Sequence, residues 1–422
     1  MICRKNIAKF FVLTALYSAI LFTAGCSSTA KTVPTVAEKV YEGPKEQDFL
    51  AQPYRIPQVY NPPVKVKGIY LTGWKAGISG EFEKLLNLVD ATELNTMVID
   101  VKDNTGKLTY KSSIPMVEQV GANSNRIRDI DVLLKTLREH NIYAIGRIVV
   151  FEDPVLSKAR PDLAVKNKSG GIWATRKGLG WVDPYNTKVW DYVVSIAEEA
   201  AKKGFNEIQF DYVRFPSDGN LNNIVYPANN GKTRVETISA FLSYAKKRLE
   251  PYGVYVSADI FGLVTTAEDD MKIGQYLEDV VKTVDYISPM VYPSHYAPGS
   301  YGLPNPNAAP YETVYRSLSD AMRRLEKVDG FKAEIRPWLQ DFTLGPPPYG
   351  AREVRAQIKA TYDAGLSQWI LWDPANTYTV AALNPRSAEQ NADARVGEKQ
   401  PDGGVQMQSR KALGKNEVAS NY

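Results

Sequence analysis

Short apolar runs rich in β-branched residues alternate with segments of helical period along the middle of the chain. The apolar runs predict eight strands, which begin near Val66, Thr96, Ile142, Glu207, Val254, Val284, Ala333 and Gln368. The segments between them predict helices over 81–91, 127–140, 187–203, 234–250, 272–282, 312–327 and 352–364. Eight strand–helix repeats are typical of a parallel sheet, and eight such strands most often close into a (β/α)8 TIM barrel.

An open doubly wound sheet is the alternative α/β architecture. The first predicted strand is not followed by the Gly-rich phosphate-binding turn that is typical of that fold. The sequence therefore favours the closed barrel.

The connections that follow the predicted strands are much longer than those that follow the predicted helices. Helix-to-strand links cover only 140–142, 204–206 and 250–254, whereas strand-to-helix links cover 103–126, 152–186, 215–233 and 293–311. In barrels, the loops that follow the strands surround the binding site at the C-terminal face. The loop lengths therefore predict a functional site at that face.

The start of the chain is typical of an export signal. Arg4, Lys5 and Lys9 precede an uninterrupted apolar run over 10–22, which is too short to span a bilayer comfortably. The sequence TAGC over 23–26 resembles a bacterial lipobox, in which the cysteine becomes the lipidated first residue of the mature protein. We expect residues 1–25 to be a lipoprotein signal peptide and the exported protein to be lipid-anchored at Cys26 to the cell membrane or outer membrane. The alternative is an ordinary cleaved signal in which Cys26 has no role.

Polar segments flank the apolar core of the sequence. Residues 26–63 are rich in Thr, Ser, Pro, Lys and Glu and lack apolar periodicity, which predicts a flexible tether. Residues 386–422 are similarly polar and predict a disordered tail. Because no Gly-, Ser- or Pro-rich linker interrupts residues 64–385, we expect one large barrel domain there.

Charge and composition exclude several classes of function. The chain has 51 Lys and Arg against 47 Asp and Glu, and removal of the signal leaves it almost neutral, so nucleic acid is not an expected partner. Two His and two Cys are too few for most His-based zinc sites, a disulfide framework or a Cys–His catalytic pair. We expect no metal or organic cofactor, and carboxylates then remain for catalysis.

Polar residues cluster where the predicted strands end, and two of them are the candidate catalytic residues. Strand alternation places Asp211 on the side opposite the apolar Phe210, so its carboxyl is expected to point into the barrel. Asp259 ends the neighbouring strand, close enough for the two carboxyls to separate each other's pKa values, as glycoside hydrolysis requires. The alternatives are a structural ion pair of Asp211 with Arg214 or Lys102, and an Asp259 that caps the end of its strand.

Further residues at the same face are candidates for substrate binding. These are Trp74, Asp100, Lys102, Arg147, Arg214, Tyr292, Trp338, Gln340 and Trp372. The aromatic members are expected to stack on sugar rings, whose C–H faces are apolar. Asp100 is equally compatible with an ion pair to Lys102 or Arg147, and the two arginines fit charge partners of the carboxylates as well as substrate ligands.

The stretch from Gly146 to Pro216 resembles a known family of bacterial proteins. It contains GRIVVFED, RPDLAVKNKSGG and the combination of WVDPYN with KGFNEIQFDYVRFP. These motifs are similar to those of the DUF4015 type of glycosyl-hydrolase-like barrels, and the resemblance extends over residues 64–385. It implies a TIM barrel with Asp211 as the essential residue. The segment SPMVY over 288–292 and Trp372 also resemble chitinase-type barrels, but Arg214 stands where the chitinase signature has Glu, which argues against an N-acetyl-assisted mechanism.

Together these features predict a glycoside hydrolase that acts on a polysaccharide of the cell envelope or the extracellular space. Asp211 is expected to serve as nucleophile or general base and Asp259 as general acid. A glycan-binding lipoprotein without catalytic activity, built on the same barrel, is the alternative. Metal-dependent deacetylation fits poorly because only His140 and His295 are present. The oligomeric state is not predicted.

Overall fold

A computed structural model of the protein describes residues 61–386. The predicted signal peptide, the lipidation site at Cys26, residues 26–60 of the predicted tether and residues 387–422 of the predicted tail lie outside this range. Within residues 61–386, no helix is both long enough and apolar enough to cross a bilayer.

Eight parallel strands close into a barrel with helices between them, which confirms the predicted fold. The strands are β1 (Lys67–Leu71), β2 (Thr96–Lys102), β3 (Tyr143–Val149), β4 (Glu207–Asp211), β5 (Tyr255–Phe261), β6 (Tyr286–Met290), β7 and β8 (Trp369–Trp372). Strand β7 has two segments, Glu334–Ile335 and Trp338–Gln340. Each strand pairs with its sequence neighbours, and pairing of β1 with β8 closes the barrel.

The strand register places the polar residues of neighbouring strands side by side. Asp100 of β2 lies opposite Arg147 of β3, which in turn lies opposite Gln209 of β4. Asp259 of β5 lies opposite Ser288 of β6. Because these residues alternate with apolar ones along each strand, their side chains enter the barrel while the apolar ones pack beneath the helices.

Helices surround the barrel, and six of the seven predicted helices begin and end close to the predicted positions. Three short helices, over 73–77, 115–119 and 154–159, were not predicted. The helices are α1 (Gly73–Gly77), α2 (Ser79–Ala91), α3 (Pro115–Gln119), α4 (Ile130–Glu139), α5 (Pro154–Ala159), α6 (Thr187–Lys203), α7 (Arg234–Leu249), α8 (Leu277–Val280), α9 (Pro310–Leu325) and α10 (Ala351–Asp363). The helix predicted over 272–282 is wrong in length, since only α8 forms there. Lys272 and Gly274 adopt φ values of 59° and 80°, which a right-handed helix does not allow.

The barrel interior is filled at its N-terminal end. Arg336 forms a fully buried ion pair with Glu207, which also accepts hydrogen bonds from Ser257 and from the hydroxyl of Tyr143. A small apolar cluster, which includes Tyr70, packs above this pair. The interior space that remains lies at the C-terminal end of the strands.

The long loops form the rim of that end, as their lengths predict. The loops after β3 and β4 pair with each other through the short antiparallel strands Lys166–Asn167 and Ile224–Val225. The indole Nε1 of Trp173 in the first loop donates a hydrogen bond to the carbonyl of Asn220 in the second. These contacts fix two of the longest loops against each other beside β4.

Candidate active site

A cavity of about 470 Å³ opens at the C-terminal end of the strands. Aromatic and apolar side chains form most of its wall, and a few charged groups lie at its base. The lining residues are Arg147, Asp211, Tyr212, Arg214, Asp259, Phe261, Gly262, Leu263, Met271, Met290, Tyr292, His295, Tyr296, Trp338 and Trp372. A second cavity of about 690 Å³ adjoins the first, and the two share Tyr292, His295 and Trp372.

Asp211 lies at the base of the first cavity because β4 ends at this residue. The following residue, Tyr212, adopts φ 50°, a left-handed conformation that is rare outside glycine. This turn lets the Tyr212 backbone N–H donate a hydrogen bond of 2.6 Å to Oδ1 of Asp211. The change of direction also brings the Tyr212 ring to the cavity wall.

Arg147 connects Asp211 with a second buried carboxyl. Its Nε donates to Oδ2 of Asp211 at 3.0 Å, its Nη2 donates to the same oxygen, and its Nη1 donates to Oδ1 of Asp100 at 2.6 Å. The hydroxyl of Tyr70 donates to the other oxygen of Asp100. The ion-pair partner of both carboxyls is therefore Arg147, rather than the Arg214 or Lys102 also considered from the sequence.

Asp259 is the second carboxyl that lines the cavity, and it is almost fully buried. The indole Nε1 of Trp338 donates a hydrogen bond of 2.7 Å to its Oδ1. Burial, with the negative charge of Asp211 beside it, raises the pKa of Asp259 well above its usual range, although Arg147 acts in the opposite direction. Burial also raises the pKa of Asp100. One guanidinium thus faces three carboxyls, and the pKa values of two of them are raised.

The aromatic residues of the site pack against one another. Trp372 stacks on Tyr70 with ring centres 4.1 Å apart and meets Trp338 edge-on at 5.5 Å. Tyr292 is buried, and burial together with the charge of Asp259 raises the pKa of its hydroxyl well above the usual value. Burial lowers the pKa of His295, which disfavours its charged form. The wall is largely aromatic and apolar.

Seven of the predicted catalytic and substrate-binding residues line this cavity, and Asp100 lies behind Arg147. Three predicted substrate-binding residues lie elsewhere. Lys102 is fully buried in an ion pair with Asp153 (2.8 Å), and Gln340 is hydrogen-bonded to the backbone of Ser294. Trp74 is 61% exposed and stacks against the guanidinium of Arg126.

Several cavity residues were not predicted from the sequence. Tyr212 directly follows β4, Phe261 is the last residue of β5, and Tyr296 lies in the loop after β6. A position at or after the end of a barrel strand is a sequence signal, but it does not distinguish a residue of the cavity wall from a packed one.

No group of three or more His, Cys, Asp or Glu side chains within residues 61–386 is arranged to hold a metal ion. The chemistry available in this part of the chain is that of carboxyl groups, arginine and aromatic hydroxyls. A parallel barrel with two carboxyls in a cavity at the C-terminal end of its strands is compatible with a glycoside hydrolase.

The chain belongs to the DUF4015 family, described as "Putative glycosyl hydrolase domain", whose profile matches residues 68–378. It is thereby assigned to the hydrolases. This family is the one indicated by the sequence motifs around Asp211. A comparison with curated proteins finds no match.

A solved glycoside hydrolase domain shares the fold. The glycoside hydrolase domain of PgaB (BpsB) from Bordetella bronchiseptica superposes with a TM-score of 0.56 at 11% identity, over 79% of this chain and 98% of that one. A hypothetical protein from Ruminiclostridium thermocellum is 44% identical over 45% of this chain and 96% of its own, with a TM-score of 0.43. The α-galactosidase TtGalA from Thermus thermophilus is 17% identical over 84% of this chain and 65% of its own, with a TM-score of 0.45.

Proposed function

We propose that this protein hydrolyses glycosidic bonds in a polysaccharide of the cell envelope or the extracellular space. The observation that carries the proposal is the pair formed by Asp211 and Asp259 at the base of one aromatic-walled cavity. Their surroundings differ, since Arg147 donates twice to Asp211 whereas burial raises the pKa of Asp259. Glycoside hydrolysis requires two carboxyl groups of this kind, one protonated and one ionised.

Each carboxyl has a distinct role in the proposed reaction. Asp259 acts as general acid and gives its proton to the glycosidic oxygen as the bond from that oxygen to the anomeric carbon breaks. Asp211 then either attacks the anomeric carbon itself or removes a proton from the water that attacks it. If Asp211 attacks, water then hydrolyses the glycosyl ester and gives its proton to Asp259, which restores the acid. If Asp211 instead takes the proton of the attacking water, it passes that proton to solvent, and solvent reprotonates Asp259. In both cases water supplies the hydroxyl of the new reducing end.

The cavities suit a chain of sugars. Trp372 is half-buried and offers ring surface that matches the apolar C–H face of a pyranose ring, whereas Trp338 and Tyr292 line the same cavity but are buried. The adjoining second cavity continues past Tyr292 and Trp372 to Phe342 and Tyr349. A polymer lying across both cavities would place one of its linkages above the carboxyl pair.

The proposed location of the protein rests on its first residues. The basic and apolar signal and Cys26 support export followed by attachment of lipid to that cysteine. Growth with a labelled fatty acid tests this attachment: label is expected in the wild-type chain and absent from a Cys26→Ser variant. Label in the variant would contradict the assignment.

The test of the activity is a screen of the protein against bacterial and plant glycans, with reducing ends as the readout. We expect product with at least one glycan and a loss of at least about 10²-fold in the Asp211→Asn variant, because a catalytic carboxyl contributes on this scale. Asp329→Asn, at an exposed position in the loop between α9 and β7, is the matched control and is expected to keep full activity.

Two outcomes contradict the proposal. Full activity of Asp211→Asn on a proven substrate would show that the catalytic residue is misassigned. Retention of the protein on a glycan with no release of reducing ends would favour the glycan-binding alternative on the same barrel.

A further inference from the structure

Arg214 is a buried cation in the wall of the first cavity, and it has no ion-pair partner among residues 61–386. Its side chain is only 8% exposed. Within this range, Nη1 donates to the carbonyl of Phe215 and to the hydroxyl of Ser217, both at 3.1 Å. A buried charge without a counter-ion is costly and is rarely kept without a function.

The two arginines that line this cavity differ in how their charge is used. Arg147 already bridges the carboxyls of Asp100 and Asp211. Asp211, Glu152 and Asp218 lie near enough to interact electrostatically with Arg214, but none of them forms an ion pair with it. Burial raises the pKa of Glu152 and lowers that of His295, which disfavours the charged form of each. Arg214 is therefore the cation without an ion-pair partner among the residues described as lining the cavity.

Aromatic rings hold the Arg214 guanidinium in one orientation. The rings of Trp181, Tyr212 and Phe261 have their centres 5.0, 4.9 and 4.6 Å from its central carbon. These contacts, with the two Nη1 hydrogen bonds, leave the edge formed by Nε and Nη2 without a hydrogen-bond partner among the described residues. This edge is the fork of parallel N–H groups that binds both oxygens of a carboxylate.

We infer that the substrate carries a carboxylate group that binds to the Nε–Nη2 edge of Arg214 while the sugar ring occupies the cavity. The inference deepens the proposed function, on which it rests, by naming acidic glycans as the substrate class. A carboxylate of this kind occurs on a uronic acid and on the lactyl ether of muramic acid. Both sources present the same planar group to the same donors.

The test compares ligands that differ only in the acidic group. Ligand-observed NMR titrations measure the Kd of D-glucuronic acid against D-glucose, and of N-acetylmuramic acid against N-acetylglucosamine. We expect the acidic member of at least one pair to bind about tenfold more tightly or better, because a charge-assisted hydrogen bond contributes on this scale. The pair that shows the difference identifies the source of the carboxylate.

Variants at Arg214 assign the preference to this residue. Arg214→Gln is expected to abolish the preference for the acidic ligand and leave the affinity for the neutral one within about twofold. Arg214→Met keeps the apolar stem between the rings and serves if the glutamine variant does not fold. Arg128→Gln, at an exposed position, is the matched control and should keep the preference.

Equal binding of acidic and neutral ligands by the wild-type protein overturns the inference, and so does a preference that survives Arg214→Gln. Neither measurement needs turnover, so the inference can be tested separately from the proposed function. If the acidic preference is absent but a neutral glycan is hydrolysed and this activity is lost in Asp211→Asn, the inference fails and the proposed function stands. Conversely, acid recognition without any hydrolysis would leave the inference standing and remove the enzymatic role.

Discussion

At the scale of single residues, the site is defined by an excess of carboxyl groups over positively charged groups. Asp100, Asp211 and Asp259 surround one guanidinium, that of Arg147, and all four side chains are buried. Three ionised carboxylates beside one cation would leave two uncompensated negative charges in a medium of low dielectric. Burial is the largest cause of the raised pKa of both Asp100 and Asp259, and the charge of Asp211 raises that of Asp259 further. A raised pKa lets these two groups keep their protons to a higher pH, which reduces that excess.

The stability of the protein should therefore depend strongly on Arg147. We predict that Arg147→Met lowers the free energy of unfolding by about 3–5 kcal/mol, since it leaves a buried carboxylate without its partner. Urea denaturation followed by circular dichroism measures this change. Adding Asp100→Asn to the variant is expected to recover part of the loss. A change below about 1 kcal/mol in Arg147→Met would show that the carboxyls are solvated instead.

The pH dependence of activity should report the protonation of Asp259. Its folded-state pKa is raised, so the acid form persists above the usual range and is lost as the pH rises through that pKa. We predict that kcat/KM decreases on the alkaline side for this reason. In Asp259→Asn the rate should fall by about 10²–10⁴-fold and the alkaline decrease should disappear. An unchanged pH profile in that variant would contradict the general-acid role.

Asp341, in the wall of the second cavity, offers a test of pH-dependent stability. Burial raises its pKa to about 6, although Thr379 donates two hydrogen bonds to it. Its unfolded pKa is about 3.9, so its stabilising contribution is complete below about pH 4 and is lost as the pH rises through about 6. The loss amounts to about 3 kcal/mol. We predict a flatter dependence of Tm on pH between 4 and 7 in Asp341→Asn than in the wild type; equal slopes would contradict this.

The sequence was sufficient to predict which side of its strand Asp211 occupies, but not which cation it contacts. Strand alternation gives the direction of a side chain, whereas its partner depends on the register between strands, which the sequence does not contain. Trp74 is a residue whose position could not be predicted from its strand. It follows β1 closely, yet α1 carries it outward to Arg126. Residues beyond a strand end are placed by loop geometry.

At the scale of elements, helix ends with strong local signals were predicted best. Helix α6 begins and ends at the predicted residues because Asn186 caps its first turn and Gly204 ends it with φ 107°. The segment over 272–282 lacks such signals. Its apolar spacing suggests a helix, but left-handed residues at 271, 272 and 274 confine the helix to α8.

Helix α7 has a capping box whose contribution can be measured. The Thr233 hydroxyl accepts a hydrogen bond from the backbone N–H of Glu236 at 3.1 Å, and the Glu236 carboxylate accepts one from the backbone N–H of Thr233 at 2.7 Å. We predict that Thr233→Ala lowers the free energy of unfolding by about 1 kcal/mol in urea denaturation. Thr233→Ser keeps the hydroxyl and should stay close to the wild type. Equal losses in both variants would argue against the cap.

At the scale of the whole molecule, loop length predicted the position of the site better than any motif did. The lengths of the loops at each end of a barrel can be predicted from the sequence, because the strand and helix periods mark where each loop starts. The shape of the cavity is not readable in this way. It depends on the Glu207–Arg336 pair, which fills the opposite end, and on an apolar cluster whose members Tyr292 and Trp338 also line the cavity.

The position of Asn61, the first described residue, bears on how a ligand reaches the cavity. Asn61 is hydrogen-bonded to the backbone carbonyls of Asn206 and Gly253, which lie just before β4 and β5 and therefore at the floor of the barrel. The described part of the chain therefore begins on the side of the barrel away from the carboxyl pair. Its first residues leave the cavity at the C-terminal end of the strands open to solvent.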